Sequence, residues 1–214
     1  MGAPAHVSPQ ARAIAAATGA IVNVVAIGAD LSAGFVLGSI SAGADIAAAA
    51  AQRYVSRGTC APLTCVLLVV PAVLHAFIVP DKYKDLWFSR EQNADAHFID
   101  RKALEFTECA NKPDSTPLYS PLNDPRPHAP VYIHVAGQDP LRDDGLGPRR
   151  QDAPVYSGVP HGYPDMYPTF SVSRKAELDF VKATAWLPGK DLKEEEAAQA
   201  IVAASGATSP GSAV

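Results

Sequence analysis

Phe35-Val36-Leu37-Gly38-Ser39-Ile40-Ser41-Ala42-Gly43-Ala44-Asp45 is the stretch on which the fold turns. Phe35 to Gly38 reads as a short apolar strand, and Ser39 to Gly43 as a corner of small residues. Asp45 to Ser56 reads as a helix carried by an alanine run, with Arg53 and Arg57 near its last turn and Gly58 ending it. A strand, a corner and a helix make the shape that a strained nucleophile turn requires. Its neighbours must be small because the turn presses backbone against backbone. The helix N-terminus then aims N–H groups at the site and favours developing negative charge. The usual pattern is Gly-x-Ser-x-Gly. Here Ser39 takes the place of the first glycine, with Gly38 one residue earlier. Taken alone, Ser-x-Ser-x-Gly also occurs in ordinary loops. A phosphate could use such a loop at a helix N-terminus, but no lysine follows it as a P-loop requires.

Outward from this stretch, residues 62–70 read as a second strand. They open a longer apolar run, 63–79, nearly long enough to span a bilayer. Thr64, Pro71 and His75 interrupt it, and a strand buried on both faces reads as just such a run. Residues 131–136 alternate as a third strand closed by Gly137, and Val155-Tyr156 is a fourth candidate. Towards the N-terminus, residues 10–28 form a helix candidate weakened by Thr18 and Gly19, and 30–34 a turn. Residues 13–29 could also pass for a signal-peptide core, though only Arg12 precedes them; the competing reading is a buried, alanine-rich helix. Towards the C-terminus, 171–186 is amphipathic, with Ala176, Phe180, Val181, Ala183, Thr184 and Leu187 near one face. A charged-then-alanine helix follows at 190–204, and 205–214 is a Gly/Ser/Pro tail expected to be disordered.

Residues 71–130 break the alternation. They hold Tyr83, Trp87 and Phe88, a helical segment near 100–111 and a proline-rich stretch, 113–130. This is the pattern of an inserted or covering region. Strands alternating with helices predict an α/β class with a largely parallel sheet, in one domain over residues 1–204.

Composition closes other routes. The chain has 214 residues, 48% hydrophobic and 19% charged, which excludes a disordered chain. Eighteen Lys and Arg against 22 Asp and Glu give a net charge of −4 with no basic stripe, so nucleic acid is not an expected partner. Three cysteines do not make a disulfide framework. Cys60 and Cys65 lack zinc spacing and have no matching partners, so neither metal nor cofactor is expected. With no convincing signal peptide or transmembrane segment, the expected location is cytoplasmic.

A serine needs a base in hydrogen-bond reach and a carboxylate to orient that base. In this fold class the chain order is Ser, then Asp or Glu, then His. Asp139 lies just past the third strand in Gly137-Gln138-Asp139-Pro140-Leu141-Arg142-Asp143. His161 lies past the fourth in Gly158-Val159-Pro160-His161-Gly162. Both occupy the carboxyl ends of strands, where catalytic loops belong. A turn aspartate and a surface histidine are the plain readings of each; the three residues together, in order, outweigh them.

With these residues assembled, the chain resembles the hormone-sensitive-lipase-like branch of the α/β-hydrolases, in its fungal versions. The matching residues include 34–45, Val70-Pro71-Ala72-Val73-Leu74-His75, Val79-Pro80-Asp81-Lys82-Tyr83-Lys84, Ser120-Pro121-Leu122, Asp139-Pro140-Leu141-Arg142-Asp143-Asp144-Gly145 and Pro160-His161-Gly162. The likeness covers roughly residues 20–186. It implies a carboxylic-ester hydrolase that works through an acyl-enzyme on a small-molecule ester. Carried over by position, Ser41 is the nucleophile, His161 the general base and Asp139 its orienter; Asp143 and Asp144 cap or brace the following turn. Residues 71–130 supply part of a cap, with Tyr83, Trp87 and Phe88 expected over apolar surface and substrate near the Ser41 edge.

Two departures temper this. The family's His-Gly-Gly-Gly motif, whose N–H groups build most of the oxyanion hole, is absent from residues 1–40, which leaves the N–H of Ala42. Between Asp139 and His161, Gly145, Gly147, Pro148 and Pro154 leave no uninterrupted helical run where the family has a helix. A partial α/β-hydrolase fold, truncated at its N-terminus, is therefore expected. Its function is either a weakened serine esterase or a non-catalytic remnant that binds small apolar ligands or a partner chain.

Overall fold

The computed structural model describes residues 36–57, 63–74, 79–110, 129–146, 154–186 and 191–206. The expected helix at 10–28, the turn at 30–34, Cys60, residues 113–128 of the proline-rich stretch and the tail from 207 onward lie outside the described residues. The described residues fall into two compact units. One is Val36–Pro168; the described part of the other begins at Thr169.

The first unit is built on a parallel sheet. Strands β1 (Val36–Ile40), β2 (Cys65–Val69), β3 (Val131–Ala136) and β4 (Val155–Tyr156) stand in the order β1-β2-β3-β4, every pair parallel. Val36 faces Cys65, Val66 faces Val131 and Val135 faces Val155. The α/β class and parallel sheet expected from the sequence are what the chain forms. All five residues of β2 are buried, which is why Cys65-Val66-Leu67-Leu68-Val69 carries no polar alternation. Each such side chain contributes roughly 1.5–3 kcal/mol of transfer free energy. Burial pushes the Cys65 thiol up to about 12, so it is a packing group and not a thiolate.

Helix α1 (Ala42–Arg57) packs on β1 and β2 through Ala44, Ala47, Ala48, Ala51 and Gln52, all buried at helical spacing. Four of the five are alanines, so the helix lies close to the sheet. The five-residue corner read from the sequence shrinks to a single residue. β1 continues through Ser39 and Ile40, opposite Leu68 and Val69, and α1 begins at Ala42. Small side chains suit a strand end pressed against a helix as well as they suit a loop, so composition alone could not separate the two.

Between β2 and β3 lie α2 (Asp81–Lys84), α3 (Ser89–Gln92) and α4 (Arg101–Ala110). Asp100 caps α4, its Oδ1 accepting the Ala103 N–H at 2.8 Å. After β3 comes α5 (Arg142–Leu146), which packs on that strand. A side chain on Gly145 would begin 2.8 Å from Val135 Cγ1 and 3.2 Å from the Pro71 ring, so the glycine lets the backbones approach. α6 (Tyr163–Met166) follows β4.

In the second unit, α7 (Ser171–Trp186) and α8 (Glu194–Gly206) pack around Val181 and Ala197, flanked by Leu178, Leu192 and Ile201. The buried face of α7 is Ser173, Ala176, Val181, Thr184 and Ala185; Phe180 and Ala183 are only half-buried. Glu194, Glu195 and Glu196 crowd the first turn of α8, where the dipole favours anions, and Glu196 Oε2 accepts the Lys193 N–H at 2.9 Å. α8 extends two residues into the stretch read as tail. No helix among the described residues is long and apolar enough to cross a membrane.

Candidate active site

Ser41 occupies the hinge between β1 and α1 with φ of 55°, a left-handed conformation that a non-glycine residue adopts at a cost of about 1–3 kcal/mol. Three backbone hydrogen bonds hold it there. Its N–H donates to the Val69 carbonyl at 2.8 Å, and its carbonyl accepts the N–H of Ala44 at 2.8 Å and of Asp45 at 3.4 Å. The sheet grips one side of the residue and the helix the other, which over-determines the strained turn. Ser39, in the place of the usual glycine, is accommodated by Gly43: a side chain on Gly43 would run into the Ser39 hydroxyl. The next strand end repeats the device, since Val70 has φ of 43° and donates its N–H to the His134 carbonyl at 2.7 Å.

His161 Nε2 lies 2.8 Å from Ser41 Oγ, and its Nδ1 lies 2.7 Å from Asp139 Oδ2. His161 and Asp139 are buried, 2% and 1% exposed, so water does not compete for these bonds. A carboxylate only accepts, so Nδ1–H donates to Asp139; Nε2 is then left to accept the Ser41 hydroxyl proton. That tautomer is the one a serine's base requires. Asp139 Oδ1 accepts the Leu141 N–H at 2.8 Å, which fixes the carboxylate plane. The loops that carry Asp139 and His161 are tied directly, Gln138 N–H donating to the Val159 carbonyl at 2.9 Å. Ala42 is exposed and opens α1, so its N–H is among those with no partner inside the helix. Asp45, one turn on, is pushed up to about 6 by burial, against the preference of the helix dipole for its charged form.

Tyr83 and Trp87 are half-buried and Phe88 is exposed. Lys82 Nζ sits 4.6 Å from the centre of the Tyr83 ring. Trp87 Nε1 is buried with no hydrogen-bond partner among the described residues. The Phe88 backbone reaches the segment after β3, donating its N–H to Asp143 Oδ2 at 2.8 Å.

Several residues at this edge had no signal in the sequence. Buried His134, on β3, binds the Tyr163 hydroxyl through Nε2 at 2.9 Å and stacks on Tyr156 at 4.3 Å, two residues of chain from His161 on the Tyr163 side. Phe98 has φ of 81° and an exposed ring, 3.9 Å from where a side chain on Gly162 would begin. Ser89, Arg90 and Asn93 bond to residues 139–144, after β3. Asp143 and Asp144 do brace this region, but they reach α3, more than fifty residues away in sequence, as well as their own turn. Only the Arg142-Asp143-Asp144 motif could have hinted at it. Among the described residues no cluster of His, Cys, Asp and Glu could hold a metal ion.

A crystal structure of vibralactone cyclase superposes with a TM-score of 0.65 at 26% identity, over 84% of this chain and 55% of that one. A structure of an esterase from Pyrobaculum calidifontis shares the fold with a TM-score of 0.55 at 23% identity, over 69% of this chain and 50% of that one. An AB hydrolase superfamily protein of Schizosaccharomyces pombe is 27% identical over 186 residues, 81% of this chain and 55% of the relative. The chain thus spans about half the length of the relatives it matches. A family model described as alpha/beta hydrolase fold matches residues 2–163, three-quarters of the sequence, and with the parallel sheet and the Ser41 turn behind it, the chain belongs to the α/β-hydrolase fold family.

Proposed function

We propose that the chain is a serine hydrolase of carboxylic esters that works through an acyl-enzyme. The observation that carries this reading is the unbroken hydrogen-bond line Ser41 Oγ, His161 Nε2, His161 Nδ1, Asp139 Oδ2, with steps of 2.8 and 2.7 Å across the ring. Ser41 Oγ attacks the acyl carbon as its proton passes to His161 Nε2. Asp139 holds the ring and stabilises the imidazolium that forms. The developing oxyanion takes the Ala42 N–H at the start of α1. His161 returns the proton to the leaving alkoxide, releasing the alcohol. A water, deprotonated by the same nitrogen, then hydrolyses the acyl-Ser41 ester and restores the hydroxyl. Tyr83, Trp87 and Phe88 cover the apolar part of the substrate in this reading.

The chain has no His-Gly-Gly-Gly motif. Each missing oxyanion donor costs about a hundred- to a thousandfold in turnover, so feeble rates are expected. The purified chain and its Ser41→Ala variant are compared on a short-chain nitrophenyl ester near pH 8. A leaving group that needs little protonation makes this the easiest substrate. Hydrolysis abolished by the substitution supports the reading. Equal background rates would leave family membership as ancestry only and favour the non-catalytic alternative.

A further inference from the structure

The loop that carries Asp139, residues 137–141, is clasped from outside. α3 has no hydrogen-bonding side chain at its own N-cap, Phe88. Instead Asp143 Oδ2 accepts the N–H groups of Phe88 and Ser89, each at 2.8 Å, and so caps the helix from 55 residues away. The contact is reciprocal. Ser89 Oγ donates to the Pro140 carbonyl at 2.7 Å and accepts the Asp143 N–H at 3.1 Å. Asn93 Nδ2 donates to the Asp139 carbonyl at 3.1 Å, which also accepts the Arg142 N–H at 3.0 Å. Arg142 reaches Gln92 Oε1 at 2.7 Å, the Gly137 carbonyl at 3.2 Å and Asp143 Oδ1 at 3.1 Å. Arg90 pairs with Asp144 at 2.6 Å. Ser89, Asp143 and Asp144 are fully buried.

Two features separate this from general bracing. The bonds converge on Asp139 and Pro140 themselves, the peptide that aims the carboxylate at His161. They also come from one four-residue helix and the asparagine after it, a segment continuous with Trp87 and Phe88. We infer that α3 and Asn93 form a positioning device, in which Ser89, Asn93 and Asp143 hold the Asp139 backbone so that its carboxylate meets His161 Nδ1. This rests on the esterase reading only where the readout is turnover; the His161–Asp139 bond can be read without it. No substrate contact is assigned to these residues. They act through Asp139, and displacement of a catalytic group by about 1 Å can cost about a hundredfold in rate.

The test uses the full chain with Ser89→Ala, Asn93→Ala and the conservative Ser89→Thr. Two quantities are read. One is the far-downfield proton resonance of His161 Nδ1–H, assigned by its loss in His161→Gln. The other is kcat and KM on the nitrophenyl ester, normalised to folded protein by circular dichroism. The expected result is a weakened or displaced resonance in both alanine variants, with kcat down about tenfold to a hundredfold and KM within about twofold. Ser89→Thr, which keeps the hydroxyl, restores the resonance. If Ser89→Ala does not fold, Asn93→Ala decides, because Asp139 keeps its bond from the Arg142 N–H and the asparagine is only half-buried. Variants with an unchanged resonance and unchanged kcat would overturn the inference, whatever their thermal stability. So would the absence of the resonance from the parent chain. A parent that shows the resonance but no Ser41-dependent hydrolysis, with the resonance lost in the variants, keeps the positioning device and removes the esterase reading.

Discussion

At the scale of single residues, the charged groups around Asp139 set a measurable acid response. Burial by itself would raise the Asp143 pKa. Hydrogen bonds from Arg142 and from the Phe88 and Ser89 N–H groups outweigh it and hold the carboxyl below its ordinary value. A depressed carboxylate stabilises the fold fully above the unfolded-state pKa, about 3.9, and loses that contribution as pH falls through the folded value. Asp143→Asn is therefore expected to lower stability by about 1.5–3 kcal/mol near pH 7, the range for hydrogen bonds to a charged group. The gap between parent and variant should hold down to about pH 4 and close below it. Urea midpoints from pH 7 to pH 3 read this directly, and a gap constant across the range would contradict it. Asp143 itself stood out in the sequence as part of Asp-Pro-Leu-Arg-Asp. Its partners did not, because a backbone N–H fifty residues away carries no residue type to recognise.

At the scale of elements, the long periodic segments were legible and the short ones were not. β3 lies where its alternation puts it, and α7 runs over 171–186 as its apolar face predicts. α2, α3, α5 and α6 have four or five residues each, barely one turn, so no 3.6-residue period can register. They are set by tertiary contacts: the α3 N-terminus by Asp143, α5 by its fit against β3. Gly145→Ala places a methyl 2.8 Å from Val135 Cγ1, too close for any real contact, so α5 or the Val135 side chain must shift. The expected loss is about 1–3 kcal/mol, even though alanine is the better helix former by about 1 kcal/mol. Gly145→Ser should be no better. Thermal or urea unfolding of the two variants checks this, and a stabilised alanine variant would mean that the approach of α5 to β3 is looser than the geometry indicates.

At the scale of the whole molecule, the first unit's parallel sheet sets both the stability gradient and the place of the site. β2 is buried along its whole length and paired on both sides, whereas β1 has exposed and half-buried positions. Amide hydrogen exchange should accordingly be slowest in β2 and in the β3 residues 133–136, with β1 exchanging at least about tenfold faster. Equal protection of β1 and β2 would count against this gradient. The carboxyl ends of β1 and β3 and the loop after β4 deliver Ser41, Asp139 and His161 to one edge, as open α/β sheets do.

What the sequence determined by itself is the set of groups with chemical identity and chain order. Small residues flanking Ser41 (Gly38, Ser39, Ala42 and Gly43), an uninterrupted apolar β2, and Asp139 and His161 after strand ends specify a parallel α/β sheet with a serine at a strand-to-helix turn. These are local properties, written in residue type and spacing. The tertiary structure decided everything that depends on a partner remote in sequence. That includes the contraction of the corner to Ser41 alone, forced by the Val69 carbonyl on one side and α1 on the other. It includes the His134–Tyr163 contact beside His161, and the capping of α3 by Asp143. Their common cause is that a buried donor or acceptor must be satisfied by whatever the fold brings near it, and nearness between residues 88 and 143 exists only after the chain has folded.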